Sequence, residues 1–123
     1  MGNAGAAWKA EPRMKLLKVV IPTREFEAAI AFYRDVLGLP LVGAGWCEMS
    51  AGNANIAIQL AREGSDFAPT GHGIYLDLSE SRLEQIKQRP QDAGVAIAKE
   101  WKDERGHFLE IADPDGNLIE LVE

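Results

Sequence analysis

The feature that most constrains this chain is an order of elements that occurs twice. MKLLKVVIP, Met14 to Pro22, reads as a short strand rich in Leu and Val and closed by proline. Thr23 is a good N-cap with Glu25 and Glu27 in the first turn, and Phe26, Ala29, Ile30, Tyr33 and Leu37 follow at helical spacing. Gly38 suits the helix end and Pro40 prevents its continuation. Three strand-like pieces come next: Leu41–Gly43, Trp46–Ser50 and Asn55–Ala61. After a linker rich in turn formers the plan returns. Gly73–Leu78 is a strand, and Ser81 with Glu84 has capping-box spacing before a helix carrying Leu83, Ile86 and Ala93. Pro90 should kink or shorten that helix. Val95–Trp101, His107–Ala112 and Asn117–Val122 are the last strands, with Asp113-Pro-Asp-Gly-Asn117 a strong turn between the final two. The expectation is an α+β domain of two βαβββ modules, residues 14–62 and 72–123, preceded by an extension over residues 1–13.

Composition excludes several classes. The chain has 123 residues with 46% apolar and 26% charged residues, enough to bury a core. Its formal net charge is −6, and no cluster of Lys or Arg offsets it, so nucleic acid is not expected as a partner. No apolar run approaches a membrane span and the N-terminus has no apolar stretch of a secretory signal. The one cysteine, Cys47, cannot close an intrachain disulfide, which fits a reducing compartment and a cytoplasmic location.

Strand alternation separates two kinds of face. Leu17, Val19 and Ile21 oppose Leu16, Lys18 and Val20; Ile56, Ile58 and Leu60 oppose Asn55, Ala57 and Gln59. Ile74, Leu76 and Leu78 oppose Gly73, Tyr75 and Asp77; Leu109 and Ile111 oppose Phe108, Glu110 and Ala112; Ile119 and Leu121 oppose Leu118, Glu120 and Val122. Each strand has one aliphatic face, fit to pack under a helix, and one mixed face.

FYRDVLGLPLV (32–42) and IADPDGNLIELVE (111–123) resemble the vicinal oxygen chelate superfamily, also called the glyoxalase/bleomycin-resistance/dioxygenase superfamily. The likeness runs from Met14 to Glu123, and GWCEMSAGNANIAIQL (45–60) fits the third and fourth strands. The resemblance implies paired modules whose curved sheets form a cup around a small-molecule ligand, and a homodimer. The mixed faces then line the cup, which places Lys18, Gln59, Tyr75, Asp77, Glu110 and Glu120 on its wall, with Trp46 as an aromatic contributor. The alternative for Asp77 and Glu110 is bulk solvent on an open sheet. Leu118 and Val122 argue against solvent for Glu120.

Many members hold a divalent metal in the cup. On the resemblance, Glu120 matches the last ligand position, Gln59 the fourth-strand position and Lys18 the first-strand position, while the fifth-strand position falls on Gly73. An ammonium carries no free lone pair, so Lys18 is a poor ligand. His72 would turn inward only with a bulge at Gly73; His107 is a weaker candidate. Gln59, His72 and Glu120 could hold a metal weakly. In the other reading Lys18 replaces the cation and pairs with Glu120, and no metal is bound. Two functions stay open. One is a small-molecule-binding protein with a degraded metal site. The other is a metal-dependent lyase, isomerase or dioxygenase. Cys47 has no partner histidine beside it, and no P-loop or dinucleotide fingerprint exists. Glu110 could serve as a general base only if it lies near the ligand.

Overall fold

The computed structural model describes residues 13–43, 47–64, 66–70 and 74–123. Trp46, His72 and the expected strand start at Gly73 lie outside these residues. Strand β1 (Lys18–Thr23) leads to helix α1 (Phe26–Ala31), which runs on as a π-helical turn, Phe32–Val36. β2 (Glu48–Ser50) and β3 (Asn55–Leu60) complete the first half. The second holds β4 (Tyr75–Ser79), α2 (Leu83–Ile86), α3 (Gln88–Asp92), β5 (Ile97–Asp103), β6 (Gly106–Ala112) and β7 (Leu118–Val122).

Two mixed sheets result, ordered β1-β3-β2 and β4-β7-β6-β5. In each, the first strand of the half lies parallel to its last strand, and the other pairs are antiparallel. The sheets therefore repeat one plan, with one strand fewer in the first. The expected strand at Leu41–Gly43 is reduced to a single bridge between Leu41 and Met49. Pro40 before it has no N–H to give a ladder, and Gly43 turns away at a φ of 69°.

Helix starts differ from expectation. Thr23 does not cap α1; its hydroxyl accepts the Glu25 N–H at 3.0 Å and the helix begins at Phe26 with no side-chain cap. Ser81 and Glu84 form no capping box. Glu80 accepts the Arg82 N–H at 3.0 Å, and Glu84 is drawn to Lys87 at 2.8 Å. Pro90 acts as its chemistry requires. It cannot donate to Ile86, and the helical stretch divides at Lys87 into α2 and α3. In the π-helical turn the Leu37 N–H reaches back five residues to the Phe32 carbonyl at 3.0 Å.

One core serves both halves. Ile21, Met49, Ile56 and Ile58 of the first sheet and Leu109, Ile111, Ile119 and Leu121 of the second belong to one buried cluster, together with Ile30, Tyr33 and Val36 of the first helical stretch and Leu83 of α2. The apolar surface removed from water there is the main stabilising contribution. The alternation is clearest in β4 and β7, where Ile119 and Leu121 are buried and Leu118, Glu120 and Val122 half-buried, whereas β1, β3 and β6 each bury three residues in a row. Its ends fray: Leu17 precedes β1 and is 79% exposed, and Leu60 at the tip of β3 is 52% exposed.

Candidate functional site

The mixed face of the second sheet carries a row of charge. Asp77 pairs in register with Glu120, Glu120 with Glu110, and Glu110 with Lys99, so three carboxylates and one ammonium cross β4, β7, β6 and β5 side by side. Tyr75, two residues before Asp77, donates its O–H to Glu120 Oε2 at 2.5 Å. That bond is the main reason its phenol is pushed up to about 12. Burial first, then the charge of Glu120 and a hydrogen bond with it, raises the Asp77 carboxyl above its ordinary range. On the neighbouring rung Trp101 stacks on Phe108, with ring centroids 5.0 Å apart and planes 8° from parallel. Lys99 Nζ stands 5.0 Å from the Trp101 ring and the Arg105 guanidinium 5.2 Å from Phe108. The face thus combines a row of carboxyls, a flat aromatic surface and cations at its margin.

The mixed face of the first sheet is organised around Glu48. Its carboxylate accepts from Asn55 Nδ2 at 2.7 Å and from Lys18 Nζ at 3.4 Å. The Asn55 bond, more than Lys18, holds the Glu48 carboxyl below its ordinary value. Gln59 lies exposed near the end of β3.

A third polar cluster is buried where the halves meet. Tyr33 is fully buried and donates to Asp113 Oδ2 at 2.6 Å. Asp113 also accepts from Asn117 Nδ2 at 2.8 Å and from the backbone N–H groups of Asp115 at 2.9 Å and Asn117 at 2.8 Å. Burial, reinforced by Asp113, drives the Tyr33 phenol far above its ordinary range. Asp115 Oδ1 accepts the Arg24 N–H at 3.2 Å, a second link between the halves.

The expected site residues therefore fall into two groups. Tyr75, Asp77, Glu110 and Glu120 share one face of the second sheet, while Lys18 and Gln59 belong to the first. Within one chain Lys18 contacts Glu48, and the bonds at Glu120 come from Tyr75 and Asp77. A cleft of about 500 Å³ is bounded by residues of both halves, among them Leu16, Val19, Leu39, Ile56, Leu76 and Asp77. It touches Asp77 but not Glu120. The metal implied by the resemblance finds no matching donor set around Glu120 among the described residues. The one trio of His, Cys, Asp or Glu ligand atoms within 4.8 Å of one another there is Glu84, Glu100 and His107, on the helix-covered face. The stacked Trp101–Phe108 pair and this trio both depend on the β5–β6 hairpin register, in which Asp103 pairs with Gly106 across the two residues Glu104 and Arg105, a dipeptide without the usual hairpin-turn signal.

The Glyoxalase/Bleomycin resistance protein/Dioxygenase superfamily model matches residues 15–121. No curated protein sequence gives a significant match. Among solved structures, TnmS3, an antibiotic binding protein from Streptomyces sp. CB03234, superposes with a TM-score of 0.72 at 20% identity, covering 92% of this chain and 98% of that one. Lactoylglutathione lyase from Agrobacterium tumefaciens gives a TM-score of 0.68 at 17% identity over 92% and 96% of the two chains. The oxidase ChaP-H2 gives 0.68 at 16% identity over 90% and 94%. These identities speak to the shared glyoxalase/bleomycin-resistance-like fold alone. With the family match spanning nearly the whole described chain, this protein belongs to the Glyoxalase/Bleomycin resistance protein/Dioxygenase superfamily.

Proposed function

We propose that the chain binds a small organic molecule on the mixed face of its second sheet, in a cup completed by a second copy of the chain, without a resident metal at Glu120. The observation that carries this reading is the Tyr75–Glu120–Asp77 cluster. The Tyr75 phenol gives Glu120 a neutral hydrogen-bond donor on the face where the resemblance places a cation, and Asp77 stands beside it in register. The flat Trp101–Phe108 surface beside it offers stacking area for an aromatic or polycyclic ligand. Tyr75 is 51% exposed in a single chain, which leaves room for both a ligand and an opposing surface. The lone Cys47 favours a cytoplasmic setting.

The second reading, a metal-dependent lyase, isomerase or dioxygenase, draws on one observation. Asp77, Glu110 and Glu120 are hard oxygen donors in one register row. Two measurements separate the readings. Elemental analysis of natively purified protein should find no metal that survives dialysis and depends on Glu120. A thermal-shift panel of aromatic and cationic small molecules should give ligands whose stabilisation is lost in Tyr75→Phe and Glu120→Gln. Stoichiometric metal present in the wild type and absent from Glu120→Gln would replace the first reading with the second. Sedimentation showing a monomer with undiminished ligand binding would remove the second copy from the proposal.

A further inference from the structure

The helix-covered face of the second sheet carries a polar group that the ligand reading does not use. His107 opens β6 on the same face as the core residues Leu109 and Ile111, and its side chain is 10% exposed. Two backbone bonds to Glu123 fix it. The His107 N–H donates to the Glu123 carbonyl at 3.2 Å, and the Glu123 N–H donates to the His107 carbonyl at 2.9 Å. Glu100 of β5 lies diagonally across the ladder, because Lys102 pairs with His107 and Glu100 with Leu109. His107 Nε2 is 2.7 Å from Glu100 Oε2. Glu84 comes down from α2, and one ligand atom of each of the three side chains lies within 4.8 Å of those of the other two.

We propose that Glu84, Glu100 and His107 form a divalent transition-metal site, distinct from the mixed face, for which zinc is a suitable probe. One imidazole nitrogen and two carboxylate oxygens suit such ions, with water completing the shell. The donors come from three separate elements, so a metal here pins α2 to the β5–β6 hairpin. The place is already used by a cation. Lys87 Nζ sits 2.8 Å from Glu84 Oε1 and 3.4 Å from Glu100 Oε2. Its four-carbon stem lets the ammonium swing out to solvent when a metal enters. Lys102, close enough to lower the Glu84 carboxyl, is the other positive group facing the site. Both ammoniums oppose a metal, and Lys87 is the direct competitor.

The competition gives the site its signature. Zinc titrated into the metal-free full chain should bind with one equivalent by calorimetry and raise the melting temperature. The chain has two histidines, and the ring resonances of His107 should be the ones that respond. His107→Gln and Glu100→Gln should each weaken binding by at least about tenfold. Lys87→Ala should tighten it. Glu84, whose side chain is 63% exposed, can be changed with little effect on folding, and Glu84→Gln should also weaken zinc. Zinc that does not saturate in either wild type or Lys87→Ala overturns the site. So does zinc binding that survives His107→Gln, or that disappears only in Glu120→Gln. The last result would move the metal to the mixed face and at the same time refute the metal-free reading there.

Discussion

The molecule contains the same bond twice, in opposite surroundings. Tyr33 donates to Asp113 at 2.6 Å and Tyr75 donates to Glu120 at 2.5 Å. The first pair is sealed where the halves meet, and its carboxylate also accepts from Asn117 Nδ2 and from the Asp115 and Asn117 N–H groups. The second lies on a half-open sheet face with a like charge, Asp77, alongside. A buried bond cannot be exchanged for water, so it acts as structure. An open one can be remade with an incoming group at little cost, so it is available to a ligand. Chemistry alone does not assign a role to a tyrosine–carboxylate pair; its access to water does.

Five substitutions can break or sharpen that contrast. Asp113→Ala should act most strongly, leaving Tyr33, Asn117 and the turn N–H groups without an acceptor in a buried place, at a cost of about 3–5 kcal/mol by urea denaturation. Tyr33→Phe, which removes one donor and keeps the ring, should cost about 1–3 kcal/mol. Tyr75→Phe should leave stability within about 0.5 kcal/mol of wild type. It should also remove from the ultraviolet titration a phenol that ionises near the value of about 12 set by Glu120. Equal losses in Tyr33→Phe and Tyr75→Phe would abolish the distinction between the two pairs.

Asp77→Asn should be smaller and of opposite sign. The folded carboxyl is raised above its ordinary value of 3.8, so ionising it works against the fold. The penalty is absent in acid and sets in as pH climbs past 3.8 and through the raised value. The asparagine variant should therefore melt slightly higher than wild type at neutral pH and lose that advantage below 3.8. Lys18→Ala should have the least effect. Its pair with Glu48 spans 3.4 Å with side chains 47% and 29% exposed, and solvent screening leaves such a pair little to contribute. A larger loss, accompanied by lost ligand binding, would place Lys18 against Glu120 in the assembled cup.

The sequence made some of this legible and left some hidden, for physical reasons. Period-two alternation in Leu118 to Val122 revealed which residues share a face, because the pleat enforces it locally. The kink at Pro90 was legible because a missing N–H acts on its own helix. The helix caps at Thr23 and Ser81 were not, since the Thr23 hydroxyl accepts from Glu25 before the helix begins and Glu80 accepts the Arg82 N–H ahead of α2. The two end motifs, FYRDVLGLPLV and IADPDGNLIELVE, could be recognised together, but not their contact, a hydrogen bond from Tyr33 to Asp113 between residues 80 positions apart. The grouping of Glu84, Glu100 and His107 needed both a hairpin register and the docking of a helix. Neither is written in local periodicity.

The division of every strand into a core side and a mixed side carries a consequence for how such a protein changes over generations. Residues such as Ile119 and Leu121 answer to folding, while Glu120 between them lies half-buried on the mixed face, outside the core. Selection can therefore rewrite alternate letters of a strand and leave the rest untouched. A chain built this way can drift to a new ligand one side chain at a time, without passing through an unfolded ancestor.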